Sequence, residues 1–263
     1  MKNRPQYANW ISFRPILKGF AIAVFFLLLA VAARAVAGVP PIVGWALLAP
    51  ALPFLAFALY LLLCKATLSY RKGQRQAAML RDLLKRLGAL PLQQDGKLLD
   101  IGCGGGALSI MAAQAYPQLS VTGLDYWGDN WYYSKLQCER NAQLAGVDGR
   151  VQFQMGDAAS LAFADGTFDA VVSNLVFHEV KTQPNKLRLV REALRVLRPG
   201  GVFVLQDVYF ARSVYGDIAL FTDALRADVK QIALTDLRHP RFAPFYLSTR
   251  FVIGNLGALH GVK

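Results

Sequence analysis

Three glycines spaced two apart, Gly102, Gly104 and Gly106, follow directly on the run Leu98-Leu99-Asp100-Ile101. Glycine has no Cβ, so such a turn lets a ligand approach the main chain and lets a helix begin at once. The next run, Ala107 to Tyr116, carries helix-compatible residues and no proline. Strand, glycine turn and helix together predict a cradle for a nucleotide-type cofactor. Gly102-Cys103-Gly104-Gly105-Gly106-Ala107 fits the dinucleotide pattern G-x-G-x-x-G/A, with Asp125 standing 19 residues beyond Gly106 at the end of a second strand-like run. An acid at that distance receives ribose hydroxyls. NAD and S-adenosylmethionine both fit so far, because both carry an adenosine ribose.

Further residues separate the two. Asp100 lies where a pyrophosphate would be repelled, whereas the free ammonium of a methionine moiety would be attracted. Val151 to Met155 reads as a third strand leading into Gly156-Asp157-Ala158, where a carboxylate can accept the exocyclic amine of adenine. Phe168 to Asn174 reads as a fourth strand. A helix over about Lys186 to Leu197, the turn Arg198-Pro199-Gly200-Gly201 and a fifth strand, Val202 to Asp207, follow. With the ordered segments DIGCGGG, LD, GDA, FDAVVSN and RPGG, the chain from about Ala89 onward resembles class I S-adenosylmethionine-dependent methyltransferases. The resemblance implies an α/β fold with a doubly wound, mostly parallel seven-stranded sheet, and S-adenosyl-L-methionine as cofactor. It also implies roles. Gly102, Cys103, Gly104 and Gly106 pass beneath the cofactor, and Asp100 contacts the loop or the methionine amine. Asp125 takes the ribose hydroxyls, and Tyr126 or Trp127 lies against the adenine. Gly156, Asp157 and Ala158 flank its other edge, and Asn174 meets the methionine part. Asp125 and Asp157 have an alternative use as caps of turns or helices.

The acceptor side is less determined. In such enzymes the segment Asn174 to Glu179 lines the junction of cofactor and acceptor. His178 is the candidate base, since an imidazole with an unperturbed pKa near 6.5 takes protons at neutral pH; its alternative is a polar wall residue. Asp207 and Tyr209, at the end of the fifth strand, are the next candidates. Methyl transfer relies largely on positioning, and a base is needed only where the acceptor atom arrives protonated. The aromatic run Trp127 to Tyr133 reads as a cap over the cofactor or as core. Arg212 to Ile232 reads as a helical insertion, and Tyr246 to Gly254 and on to Lys263 as the last antiparallel pair of strands. His178, His239 and His260 lie far apart, so no metal is expected.

The remaining third of the chain has a different character. Of 29 Lys and Arg, 12 lie in residues 1–88 with a single acid, Asp82; residues 89–263 nearly balance, with 17 bases against 16 acids. The excess that makes the chain +12 therefore belongs to the N-terminal segment, where a membrane explains it better than nucleic acid does. Ile16 to Val39 is apolar apart from Lys18 and Arg34, and Ile42 to Cys64 holds no charge. About 20 residues cross a bilayer core. The segments, joined at Gly38-Val39-Pro40-Pro41, predict two transmembrane helices (about 16–39 and 42–64) within an anchor spanning 1–66. Basic residues at both outer ends (Lys2, Arg4, Arg14 and Lys18; Lys65, Arg71, Lys72 and Arg75) place the N-terminus and the catalytic domain in the cytoplasm. A cleaved leader, a hairpin dipping into one leaflet with Pro50 and Pro53 as kinks, and buried soluble helices are the competing readings. Residues 67–88 are expected to form an amphipathic connector with Ala77, Leu80, Leu83, Leu84 and Leu87 on one face, packing on the sheet or lying on a membrane surface. Residues 89–263 form the cofactor-binding domain. Cys64, Cys103 and Cys138 have no metal-type spacing and read as reduced thiols.

The expected function is transfer of a methyl group to a small, lipid-soluble acceptor at the bilayer. A tethered protein methyltransferase and a non-catalytic cofactor-binding module are the alternatives. The sequence leaves the oligomeric state open.

Overall fold

A computed structural model describes residues 4–7, 9–71, 74–88, 95–128, 134–238, 244–249 and 252–263. The chain divides into two compact units, Asn9–Gln76 and a discontinuous one made of Met1–Ala8 with Ala77–Lys263.

The Asn9–Gln76 unit is a helical hairpin. Helix α1 spans Arg14–Ala35, with Pro15 in its first turn, where the missing N–H costs nothing. A turn with Gly38 at φ +84° leads to α2, Pro41–Leu48. The second apolar segment then breaks at Ala49–Pro50 before α3, Ala51–Thr67. Pro50 and Pro53 cannot donate to the carbonyls of Ala46 and Ala49, so a continuous helix would lack two rungs within one turn, and the chain breaks there. Both spans thus differ from the expected 16–39 and 42–64. The first ends sooner, at the turn around Gly38, and the second is interrupted. Ile16, Gly19, Ala23 and Ala30 of α1 are buried, as are Ala51, Ala58, Leu61 and Cys64 of α3. A Cβ on Gly19 would sit 3.1 Å from that of Ala58, so the small residues set the close approach of the helices. Arg34 lays its stem across Gly44 of α2. At the open end Asn9 donates to the Lys65 carbonyl at 2.7 Å, and the Lys65 ammonium stands 4.3 Å from the centre of the Phe13 ring.

The other unit is an α/β sandwich. Seven strands, β1 (Lys97–Ile101), β2 (Ser120–Asp125), β3 (Val151–Met155), β4 (Phe168–Asn174), β5 (Leu197–Asp207), β6 (Gln231–Asp236) and β7 (Gly257–Val262), lie in the order 3-2-1-4-5-7-6. All neighbours pair parallel except β7, which runs antiparallel to β5 and β6. The inner strands are nearly continuous apolar runs because helices cover both faces. Helices α4 (Arg75–Arg86), α5 (Ala107–Ala115), α6 (Lys135–Ala145) and α7 (Lys186–Val196) are followed by the short α8 (Arg212–Tyr215) and α9 (Ile218–Asp223). The last antiparallel pair draws its first strand from Gln231–Asp236 and not from the tail after Tyr246. The helical insertion after β5 therefore ends sooner than expected, with Ile232 inside the strand. The bulge at Arg198–Gly201 lets β5 begin at Leu197, before the expected Val202.

Helix α4 is shorter than the connector expected over 67–88. Its Ala77, Leu80, Leu83 and Leu84, with Leu87 just beyond, are buried. The Tyr116 hydroxyl donates to the Leu84 carbonyl at 3.0 Å, and Arg86 bonds both Asp82 and Thr235 of β6. The amphipathic face thus packs within the α/β unit. Sheet order reverses between β1 and β4, so the loops after these two strands meet at the carboxyl edge and leave the crevice in which ligands bind.

Candidate active site

The turn after β1 is built around positive-φ glycines. Gly102 (φ +72°) could not carry a side chain: a Cβ would fall 2.2 Å from Val176 Cγ2, on the segment after β4. Gly106 (φ +79°) is the residue before α5, and a Cβ there would meet the Phe153 ring at 2.9 Å. The amides of Gly102 and Cys103 both donate to the Leu124 carbonyl at the end of β2, at 2.7 and 3.0 Å. Asp100 is buried and accepts from the Ser109 hydroxyl at 2.6 Å. Burial pushes its carboxyl up to about 7 against the Ser109 hydrogen bond, and the charge of Asp125 adds to the rise.

Asp125 closes the loop from β2. One carboxylate oxygen accepts from the Gly104 amide at 2.7 Å and the other from the Trp127 amide at 2.8 Å. Burial raises its pKa, while these backbone donors hold it down. Each oxygen keeps a second lone pair for a ligand hydroxyl. The two aromatics that follow diverge. Tyr126 is 69% exposed, whereas Trp127, at φ +44°, donates its indole N–H to the Gly104 carbonyl at 3.0 Å. Residues 129–133 of the aromatic run lie outside the described residues. Cys103 is buried in the turn, and burial raises its thiol well above the usual range.

At the end of β3 the Gly156 amide donates to the Asp125 carbonyl at 3.0 Å. Asp157 accepts from the Ala159 amide at 2.8 Å and from the Thr182 hydroxyl at 3.2 Å, so it does cap its own turn. Ala158 is buried beside it. At the end of β4 the Asn174 side-chain oxygen accepts from Gln206 at 2.8 Å. Leu175 is in the left-handed region at φ +58° and donates its amide to the Gln206 carbonyl.

His178 sits in a 3₁₀ turn, Phe177–Glu179, held onto the end of β5. Its Nδ1 lies 2.5 Å from Asp207 Oδ1, its amide donates to Asp207 Oδ2 at 3.1 Å, and its Nε2 lies 3.4 Å from Glu179 Oε1. Burial alone would lower the imidazole. The hydrogen bonds and charges of Asp207 and Glu179 outweigh it and push His178 up to about 10. His178 thus stands between two carboxylates that favour its protonated form, unlike the unperturbed imidazole from which a base was expected. Glu179, to which the sequence assigned no role of its own, adds to the effect of Asp207; the one sequence signal was its place directly after His178. Lys186, the first residue of α7, donates to the Val180 carbonyl at 2.7 Å and feels the charges of Asp207 and Glu179. Tyr209 and Tyr215 are only 1% and 6% exposed; the Tyr209 hydroxyl has no hydrogen-bond partner among the described residues, and the Tyr215 hydroxyl faces Asp207. Their ring centroids lie 4.7 Å apart, and Phe221 of α9 packs against both. The structure therefore joins His178, Asp207 and Tyr209 in one corner, adds Glu179 and Tyr215, and keeps the glycine loop with Asp100 and Asp125 in another. No cluster of His, Cys, Asp and Glu fit to hold a metal occurs among the described residues.

The strand order, the glycine turn at the reversal point and the acid ending β2 match the fold of class I S-adenosylmethionine-dependent methyltransferases. Residues 99–205 match the family model described as "Methyltransferase domain". The chain is 37% identical over 149 residues to 27-O-demethylrifamycin SV methyltransferase of Amycolatopsis mediterranei, 54% of this chain and 51% of that protein. It is 36% identical over 110 residues to 2-methyl-6-phytyl-1,4-hydroquinone methyltransferase of Synechocystis, 42% of this chain and 31% of that one. The matches thus span about half or less of these relatives' lengths. Among solved structures, phosphoethanolamine N-methyltransferase 2 of Haemonchus contortus with S-adenosylhomocysteine superposes with a TM-score of 0.55 at 21% identity, over 71% of this chain and 52% of that one. That likeness is one of fold.

The residues present fit S-adenosylmethionine, the cofactor that the glycine turn and the strand-end acids lead one to expect. A loop that no Cβ could enter leaves main chain open to the ligand, and a buried carboxyl precedes it. A second carboxylate retains free lone pairs at the end of β2.

Proposed function

We propose that this chain is a membrane-anchored methyltransferase acting on a small, hydrophobic acceptor. The observation that carries the anchor is the outer face of the hairpin. Helices of 22 and 27 residues, counting the broken second one as a single span, reach mean hydropathies of 2.5 and 2.3. Leu17, Leu28 and Leu52 on them are more than 60% exposed. A soluble protein would hide such side chains, whereas lipid accepts them. An enzyme held at the bilayer meets a membrane-dissolved acceptor at raised effective concentration. The phytyl-hydroquinone named for the Synechocystis relative is an acceptor of that kind, which supports the reading without fixing the substrate.

The geometry supports the following roles. Gly102, Cys103, Gly104 and Gly106 present main chain to the cofactor, and Asp125 receives the ribose hydroxyls. Trp127, bonded to the loop, forms the adenine wall more readily than the solvent-exposed Tyr126 does. Gly156, Asp157 and Ala158 border the adenine edge, Asn174 borders the methionine part, and the ammonium there pairs with Asp100. When bound, S-adenosylmethionine would supply a methyl group on its sulfonium and leave as S-adenosylhomocysteine. His178, favoured in its charged form by Asp207 and Glu179, can reach an acceptor oxygen only through the Nε2 N–H that faces Glu179 at 3.4 Å. It becomes a base only once its proton has left. Tyr209 offers a hydroxyl that an acceptor's polar group can use.

The test incubates membranes containing the protein with S-adenosylmethionine labelled in its methyl group, followed by organic extraction. Label in the organic phase that is absent with Asp125→Ala is the expected outcome. Label in protein instead would replace this reading by a tethered protein methyltransferase. Cofactor binding without any transfer would replace it by a non-catalytic module.

A further inference from the structure

Helix α6 holds the glycine loop from behind, and one of its residues also holds the N-terminus. Asn141 is fully buried and uses its whole side-chain amide. Its Nδ2 donates to the Gly105 carbonyl at 3.0 Å and to the Gln6 carbonyl at 2.9 Å. Its Oδ1 accepts from the Gln6 amide at 2.8 Å and from the Gln137 side chain at 3.0 Å. One turn earlier on the same face, the Cys138 thiol donates to the Gly104 carbonyl at 3.1 Å. Two successive carbonyls of the cofactor loop are thus fixed by α6, and the residue that fixes the second is itself clamped by both backbone groups of Gln6. The sequence places 135 residues, including the whole hairpin, between these partners. Main-chain pairing by a side-chain amide is what a strand edge would otherwise supply, so Arg4–Tyr7 is docked by specific bonds and packs with the α/β unit.

We propose that the segment around Gln6 is a working part of the cofactor site: a strap that positions the Gly104–Gly106 loop through Asn141. Without the strap, Asn141 Oδ1 keeps only the Gln137 side chain as donor, and one N–H of its Nδ2 loses its acceptor. Buried polar groups do not stay unpaired. The side chain then turns to find new partners and releases Gly105. Asn141 and Gln6 are positioning residues; neither is assigned a contact with the cofactor. The reading rests on the S-adenosylmethionine site described above, and it makes cofactor affinity depend on residues that precede the hairpin.

The experiment uses the full chain in lipid nanodiscs. Affinity for S-adenosylhomocysteine is measured by titration calorimetry, and amide hydrogen exchange at Gly102–Gly106 is followed without ligand. Gln6→Pro removes the donor to Asn141 and alters no residue of the α/β fold. It is expected to weaken S-adenosylhomocysteine about tenfold, the scale of one net hydrogen bond, and to speed exchange in the loop. Deleting residues 1–8 does the same. Gln6→Ala retains both backbone groups and restores affinity and protection. Asn141→Ala has the larger effect; if that chain fails to fold, the two N-terminal variants still decide. Wild-type affinity and loop exchange in Gln6→Pro and in the deletion would overturn the proposal. Failure of the cofactor reading looks different: the unaltered chain itself would not bind S-adenosylhomocysteine, while the loop exchange would still report on the strap.

Discussion

Two side chains set the pH behaviour of the site, and they act in opposite places. Asp100 has its pKa pushed up to about 7 from 3.8 by burial, so a large share of the ligand-free protein carries it neutral at pH 7. The cofactor ammonium favours the ionised form, and binding therefore expels a proton. Affinity should fall as pH drops below about 7. Calorimetry in buffers of different ionisation heat should register the released proton, and Asp100→Asn should remove both effects. The linkage has a definite sign. The folded chain holds this proton more tightly than the unfolded one, so Asp100 costs stability as pH rises from 3.8 through 7. His178 is raised from 6.5 to about 10 by Asp207 and Glu179. The stability it contributes is complete below about 6.5 and gone as pH passes through about 10. If its base form limits turnover, the rate climbs with pH toward that upper value. Glu179→Gln then lowers the His178 pKa and moves the rising limb of the pH–rate profile to lower pH. An unmoved limb would assign the limiting proton to another group.

Among the elements, the turn between β1 and α5 and helix α4 carry the most consequence. The turn works because strands β1 and β4 lie side by side and diverge to opposite crossovers, which brings Val176 against Gly102. The left-handed Leu175 at the end of β4 is the strained residue that aims this second loop, and Gln206 on β5 holds it there through both its backbone carbonyl and its side chain. Helix α4 docks by burial. Leu83 is completely buried on the face that also covers Leu80 and Leu84. Leu83→Ala should cost about 2–5 kcal/mol of the α/β unit's stability, read from denaturant unfolding, because a cavity remains where the side chain packed. A change below about 0.5 kcal/mol would place the helix on the surface instead.

Along the chain, the apolar hairpin lies between two segments of the α/β unit. Chain Met1–Ala8 groups with Ala77–Lys263, and Asn9–Gln76 forms its own unit. The full chain, expressed with membranes, should stay in the pellet after carbonate extraction, and a chain lacking residues 9–76 should move to the supernatant. Recovery of the intact chain in the supernatant would remove the anchor from the proposed function. The strap makes a second demand on any truncation. Cutting away everything before α4 removes Gln6 together with the hairpin and exposes the Asn141 amide, so solubility gained that way should come with weaker cofactor binding.

The amino-acid sequence determined the glycine turn and the order of the strands around it. Gly102, Gly104 and Gly106, the acid ending β2 and the Gly-Asp after β3 are local signals, because main chain without side chains and carboxylates at strand ends are requirements that neighbouring residues state. The apolar length of the hairpin is local in the same sense, and so is the single apolar face of α4. Tertiary structure decided what depends on residues far apart in the chain. His178 and Asp207 are 29 residues apart, and only the pairing of β4 with β5 sets the imidazole between two carboxylates, raising a group whose ordinary value suggested a base. The same holds for Trp127 against Tyr126, which the sequence leaves equivalent and a hydrogen bond to Gly104 distinguishes. It holds most for Asn141, an unremarked polar residue on α6 until burial forces each of its hydrogen-bonding positions to find a partner, two of them on Gln6. A pKa and a buried amide's partners are properties of surroundings, and surroundings are fixed only when the chain has folded.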